Sequence, residues 1–151
     1  MAYSFAATRP VNPPGATPIL TEEQLWKGLE YKARNPTVFF PMITGTNMKS
    51  DEGNKFERDS TLDNGAVITE HMELHAPTVV YAEMSIGWRV TNMISYGPAD
   101  ELFLTISTAN GIPGVAPDKP KPSAQELNAM SANGFEKTLS VIRELAKEGK
   151  L

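Results

Sequence analysis

Two long runs of this chain have opposite hydrophobic periods. From Ser123 to Gly149 apolar residues recur at Leu127, Met130, Phe135, Leu139, Ile142 and Leu145, with Lys137, Arg143 and Lys147 on other faces. That spacing predicts an amphipathic helix with one apolar stripe. Ser123 and Glu126 fit a capping box at its start, and Gly149 fits a stop signal. From Ile43 to Asn110 the period falls to two, broken by turn signals at Ser50 to Asn54, Asp63-Asn64-Gly65, His75 to Thr78, Ile86-Gly87 and Gly97 to Asp100. This run predicts an antiparallel meander of about six strands. Ahead of it, Tyr3 to Val11 reads as a short strand. Thr21 and Gln24 then form a second capping box, opening a helix whose stripe is Leu25, Trp26, Leu29 and Ala33 and which Asn35-Pro36 closes. A further turn of helix fits Thr37 to Phe40, and the proline-rich stretch from Gly111 to Pro122 reads as a loop.

The final helix, roughly 35 to 40 Å long at 1.5 Å per residue, needs a partner surface of its own length. The expectation is therefore one α+β domain over residues 1–151, a curved antiparallel sheet wrapped around the C-terminal helix with an internal hydrophobic cavity. Gly134 in mid-helix costs about 1 kcal/mol relative to alanine and suggests a kink, a close backbone approach or room for a ligand.

Strand register decides which polar side chains enter that interior. A three-residue turn at Asp63-Asn64-Gly65 pairs Arg58 with Glu70 and Phe56 with Met72 on one face, and Glu57 with His71 and Lys55 with Glu73 on the other. A two-residue turn would mix apolar and charged partners, so the first register is preferred. One cation and one carboxylate then lie on an otherwise apolar inner face. The next hairpins allow two registers. With Leu74 opposite Val79 and a short turn at Ile86-Gly87, Tyr81 and Glu83 point inward with Val90 and Asn92, followed by Trp88, Ile94 and Tyr96. The other register puts Val80, Ala82 and Met84 inside, with Tyr81 and Glu83 outside. The first is favoured because Trp88, Val90 and Ile94 look like inner residues. In the last strand Leu102, Leu104 and Ile106 form the inward set.

Composition excludes several functions. A net charge of −4 with no Lys/Arg block leaves little to neutralise a nucleic-acid backbone. The absence of cysteine removes thiolate chemistry, disulfides and cysteine metal sites. His71 and His75, the only histidines, stand about 13 Å apart along one strand face, too far for one ion, so no metal site is expected. No phosphate loop or nucleophile elbow is present, and nothing calls for a cofactor. The N-terminal segment lacks a signal-peptide core, and no apolar run reaches the roughly 20 residues that span a bilayer. The expected setting is cytoplasmic, without membrane insertion. An exposed edge strand could support a homodimer.

Three segments, Val11-Asn12-Pro13-Pro14-Gly15, Leu20 to Pro36 with Phe40-Pro41, and Thr138 to Lys150, resemble the AtaL-like family. That family falls in the helix-grip superfamily of START domains, the birch-pollen allergen and aromatic polyketide cyclases. The resemblance implies a curved sheet gripping the last helix around a hydrophobic cavity, and it implies no catalytic motif. The site candidates come from register alone. Glu70, Arg58, Tyr81 and Glu83 are the expected catalytic groups: a desolvated carboxylate beside an arginine can serve as a general base. Asn92 joins them as an oxyanion donor. Met72, Trp88, Asn92, Tyr96, Leu104, Met130, Gly134 and Phe135 are the expected substrate contacts. The competing reading of Arg58 and Glu70 is a structural ion pair, and that of Trp88 and Phe135 is plain core. The leading functional expectation is a cofactor-independent cyclase or isomerase of a polyketide-like secondary metabolite, closing a ring by aldol, lactone or pericyclic chemistry. The alternative is a non-catalytic carrier of a lipophilic small molecule.

Overall fold

The computed structural model describes residues 2–151. Its elements are strand β1 (Phe5–Pro10), helices α1 (Glu22–Arg34) and α2 (Pro36–Phe39), strands β2 (Ile43–Asp51), β3 (Lys55–Leu62), β4 (Val67–His75), β5 (Val79–Met84), β6 (Arg89–Tyr96) and β7 (Leu102–Ala109), and helix α3 (Ala124–Lys147). The seven strands form one antiparallel sheet in the order β1-β7-β6-β5-β4-β3-β2, so the meander runs across the sheet and β1 closes it against β7. All connections within the meander are short, as consecutive antiparallel neighbours allow.

Both long helices begin as their sequences dictate. Thr21 accepts from Gln24 N–H while the Gln24 side chain accepts from Thr21 N–H, and Ser123 and Glu126 exchange the same two bonds. Each box satisfies two amides that would otherwise have no intrahelical partner. The three segments that carry the family resemblance meet in space. Asn12 after β1 exchanges two hydrogen bonds of 2.9 Å with the Leu20 backbone, and Arg143 of α3 donates to the Val11 carbonyl and to the Asn12 side chain. This cluster fixes the start of α1 and the C-terminal half of α3 to the end of β1.

The core lies between the concave sheet face and the helices. Phe56, Met72, Leu74, Val80, Ile94 and Leu104 from the sheet are buried with Leu25, Leu29, Phe135, Leu139, Ile142 and Leu145 from the helices. Helix α1 approaches α3 so closely at Gly28 that an added Cβ would stand 2.6 to 2.8 Å from three side-chain atoms of Ile142, itself fully buried. Gly134, by contrast, has nothing within 4 Å of an added Cβ.

The two helical glycines should therefore respond oppositely to the same substitution. Gly134→Ala should gain up to about 1 kcal/mol of helix propensity. Gly28→Ala should lose a net ~1–3 kcal/mol through overpacking against Ile142. Urea unfolding of both variants measures the difference, and equal effects would mean the helices are not packed as described.

Candidate functional site

The hairpin of β3 and β4 has the register its turn residues prescribe. Gly65 is left-handed at φ +85°, Leu62 N–H bonds to the Ala66 carbonyl at 2.8 Å, and Arg58 faces Glu70 as Phe56 faces Met72. On the outer face Glu57 lies 3.1 Å from His71, and Glu73 lies 2.9 Å from His75.

The next two turns overturn the favoured register of β5. Leu74 pairs with Val80 and Glu70 with Met84, so Val80, Ala82 and Met84 face inward. The turn to β6 has three residues rather than two: Gly87 takes the left-handed conformation at φ +89°, its N–H bonds to the Met84 carbonyl, and Met84 N–H bonds to the Trp88 carbonyl. That extra residue shifts β5 against β6 by one position, so Val90 and Asn92 remain inward while Tyr81 and Glu83 turn outward. Tyr81 packs edge-on against His75 with ring centroids 5.4 Å apart, and Glu83 lies 3.5 Å from Arg89. Contrary to expectation, Tyr81 and Glu83 therefore lie on the outer face of the sheet, away from Arg58 and Glu70.

What remains inside is a buried polar layer. Arg58 donates from Nε (3.3 Å) and Nη2 (2.9 Å) to the two Glu70 carboxylate oxygens, and from Nη1 to the Ala33 carbonyl in the last turn of α1. Ser60 Oγ donates to Glu70 Oε1 at 2.6 Å. Beside them Lys32 of α1 donates from Nζ to Asn92 Oδ1 at 3.2 Å and to Thr138 Oγ1 of α3 at 3.1 Å, and lies 5.3 Å from the centre of the Phe40 ring. All six polar side chains are buried, Lys32 to 9% exposure and Glu70 to 4%. The layer thus joins β3, β4, β6, α1 and α3.

Lys32 and Thr138 were missed in the sequence pattern, although a signal exists for both. Lys32 follows Leu25 by seven and Leu29 by three, on the face that α1 buries, and Thr138 stands between Phe135 and Ile142 on the buried face of α3. Loss of water pushes the Lys32 amine down to about 8, and the nearby Arg58 cation pushes the same way.

Of the expected substrate contacts Asn92 lies in the polar layer, and the others separate into three groups. Met72, Leu104 and Phe135 are 4% exposed or less and belong to the packed core, and the Arg9 guanidinium lies 5.1 Å from the centre of the Phe135 ring. Tyr96 is exposed and donates its hydroxyl to Glu22 at the start of α1. Trp88, Met130 and Gly134 border open space. Met130, Gly134 and Thr138 are spaced four residues apart and form one row along α3. Thr138 is buried in the polar layer, whereas Gly134 and Met130 are exposed, so the row opens toward the N-terminal half of the helix. Ile68, Met84, Val90 and Ile106, inner residues toward the turns at Gly65 and Gly87, are only half-buried. Trp88 packs on Gly111 at the start of the loop leading to α3, and Met130 reaches Gly114 in that loop. The polar layer lies between these half-buried apolar residues and the packed core. A separate open groove of about 550 Å³ lies between residues 5–8 of β1 and the first turns of α3. Its lining has no titratable side chain.

A family model described as "Acetylaranotin biosynthesis cluster protein L" (AtaL) matches residues 5–149. The chain belongs to the AtaL family. The acetylaranotin biosynthesis cluster protein L of Aspergillus terreus is 26% identical over 153 residues, covering 99% of this chain and 93% of that protein. Among solved structures, the Zhui aromatase/cyclase from Streptomyces sp. R1128 superposes with a TM-score of 0.61 at 11% identity, covering 97% of this chain and 95% of that one. Ara h 8.0201 gives 0.59 at 13% identity over 95% and 99% of the two chains. The di-domain ARO/CYC StfQ from the steffimycin biosynthetic pathway gives 0.58 at 15%, covering 96% of this chain and 52% of that one. The likeness to these structures is one of fold, the helix-grip arrangement of a curved sheet around a long C-terminal helix. No helix among the described residues of this AtaL-family chain is long and apolar enough to cross a membrane.

Burial of Lys32 gives stability a definite pH dependence. Below pH 8 both folded and unfolded chains hold the proton, and the fold bears the full cost of the desolvated charge. Between about 8 and the ordinary 10.5 the folded chain releases the proton first, so stability rises with pH through that window. Unfolding titrations of wild type and Lys32→Met should therefore show a stability difference that changes by on the order of 3 kcal/mol in favour of wild type from pH 7 to 10.5. Groups common to both proteins cancel in the difference, and a flat difference would place Lys32 in water.

Proposed function

We propose that this AtaL-family protein is a cofactor-independent cyclase or isomerase that folds a hydrophobic, carbonyl-bearing biosynthetic intermediate in a cleft beneath the N-terminal half of α3. The observation that carries this reading is a buried carboxylate, Glu70, held by Arg58 and Ser60 beside the half-buried apolar residues Ile68 and Met84. Membership of a family described by a biosynthesis cluster, and the likeness of fold to aromatase/cyclases, support the reaction class.

In this mechanism the cleft contributes most of the rate by holding a flexible chain in one reactive conformer, which suppresses competing closures. Glu70 then takes the acidic proton between two carbonyls. Three of its roughly four lone-pair sites accept from Arg58 and Ser60, which leaves one for substrate. Its inner-face neighbours Ile68 and Met84 are half-buried, so the carboxylate stands at the margin of the cleft. Asn92, on the adjacent part of the inner face, is the amide donor for the developing oxyanion.

The second reading is a carrier, favoured by the three hydrogen bonds that Arg58 and Ser60 give Glu70, which an ion pair serving only the fold would also show. Purified protein added at substoichiometric amounts to the accumulated pathway precursor separates the two. Many turnovers to a cyclised product are expected, with Glu70→Gln slowing the reaction by about 10²- to 10⁴-fold while the circular dichroism stays native. Gly134→Leu, which places a side chain in the open space beside Gly134, should weaken ligand binding without loss of stability. Stoichiometric retention of unchanged precursor would make the protein a carrier.

A further inference from the structure

The charges of the polar layer do not balance. Arg58 and Glu70 neutralise each other through two hydrogen bonds. Lys32 remains: its bonds go to Asn92 and Thr138, both neutral, and among the described residues no carboxylate lies within 4 Å of its Nζ. The groups facing it are a cation on β3 (Arg58), whose own partner is the Glu70 carboxylate on β4, the amide of Asn92 on β6, the hydroxyl of Thr138 on α3 and the ring of Phe40 after α2. An ammonium buried without a counterion costs several kcal/mol unless something in the functional state compensates it. An ammonium has three N–H donors, and the two bonds described leave one unused. Thr138, which takes one of those bonds, continues directly into the open row of Gly134 and Met130.

We propose that the missing counterion is supplied by the ligand: the cleft takes a hydrophobic molecule bearing an anionic oxygen, a carboxylate or the enolate of a 1,3-dicarbonyl, and Lys32 holds that oxygen together with Asn92 and Thr138. This deepens the cyclase reading and rests on its cleft. It assigns the stabilisation of an enolate to a group that carries a full charge in a site shielded from water, where such a contact is much stronger than in bulk solvent. It also explains why a lysine is kept on the buried face of α1, where leucine or methionine would pack at lower cost. The depressed proton affinity of Lys32 follows from its burial and from Arg58, and an anion in contact with Nζ would oppose it.

Calorimetric titration with 1-naphthoate, its methyl ester and benzoylacetone tests the assignment at pH 6.5 and 9.5. Wild type should bind naphthoate at least tenfold more tightly than the ester at pH 6.5. That preference should vanish at pH 9.5, where the carboxylate is still charged and the amine is not, and should vanish in Lys32→Met at both values. Naphthoate should raise the Lys32 pKa measured by nitrogen-15 NMR of the amine, and the ester should leave it unchanged. Benzoylacetone distinguishes the two oxygen sources: if the site takes enolates, its enolate absorption band appears at lower pH with protein than without it. Equal binding of naphthoate and ester, with no enolate band induced, would overturn the anion assignment and leave the apolar cleft standing. Absence of binding by all three probes would overturn both. The pH arm uses wild type alone, so it decides the matter even if Lys32→Met does not fold.

Discussion

The approach of α1 to α3 at Gly28 is the constraint on which the interior depends. A side chain at position 28 would collide with Ile142, a residue that is fully buried and β-branched and so has little freedom to yield. Because the helices can close to this distance, Lys32, one turn further along α1, reaches both Thr138 on α3 and Asn92 on the sheet. A wider separation would leave the amine in water and the layer without its third cationic or anionic member. The Ala33 carbonyl, near the negative end of the same helix, receives Arg58 and holds the guanidinium in place for Glu70.

From that contact the sheet acquires two unlike halves. Where α1 and the C-terminal half of α3 lie over it, Phe56, Met72, Leu74, Val80, Ile94 and Leu104 are packed as a core. Beyond the reach of α1, a single helix about 10–12 Å across lies over a concave face several strands wide, and strands are spaced about 4.8 Å apart. One helix cannot fill that width. Ile68, Met84, Val90 and Ile106 therefore stay half-buried, and Gly134 faces open space. The partial exposure of this half is thus a consequence of how many strands the sheet has and how far α1 extends.

The polar layer stands at the seam between these halves, which gives its charges their particular weight. In the core a charge would have to be neutralised internally, as Arg58 and Glu70 are; in the open half it would be solvated. Lys32 has neither resolution within the protein.

Much of this architecture was legible in the residues themselves because it is governed by local rules. The capping boxes at Thr21 and Ser123, the alternation from Ile43 to Asn110 and the left-handed glycine of Asp63-Asn64-Gly65 each act over a few residues, and together they determined the helices, the meander and the facing of Arg58 on Glu70. Tertiary structure decided the rest. Whether Ser85-Ile86-Gly87 turns on two residues or three is a matter of small energies in the turn itself, and the packing of Val80 and Ala82 beneath the helices settled it by sending Tyr81 and Glu83 outward. Met130 carries the helical period of α3 yet remains exposed, because amphipathic spacing specifies a face and not the presence of a surface to cover it. Lys32 was decided in the same way: its spacing placed it on the buried side of α1, but its isolation from any carboxylate arises only when three distant segments converge, and long-range electrostatics has no period that a sequence can display.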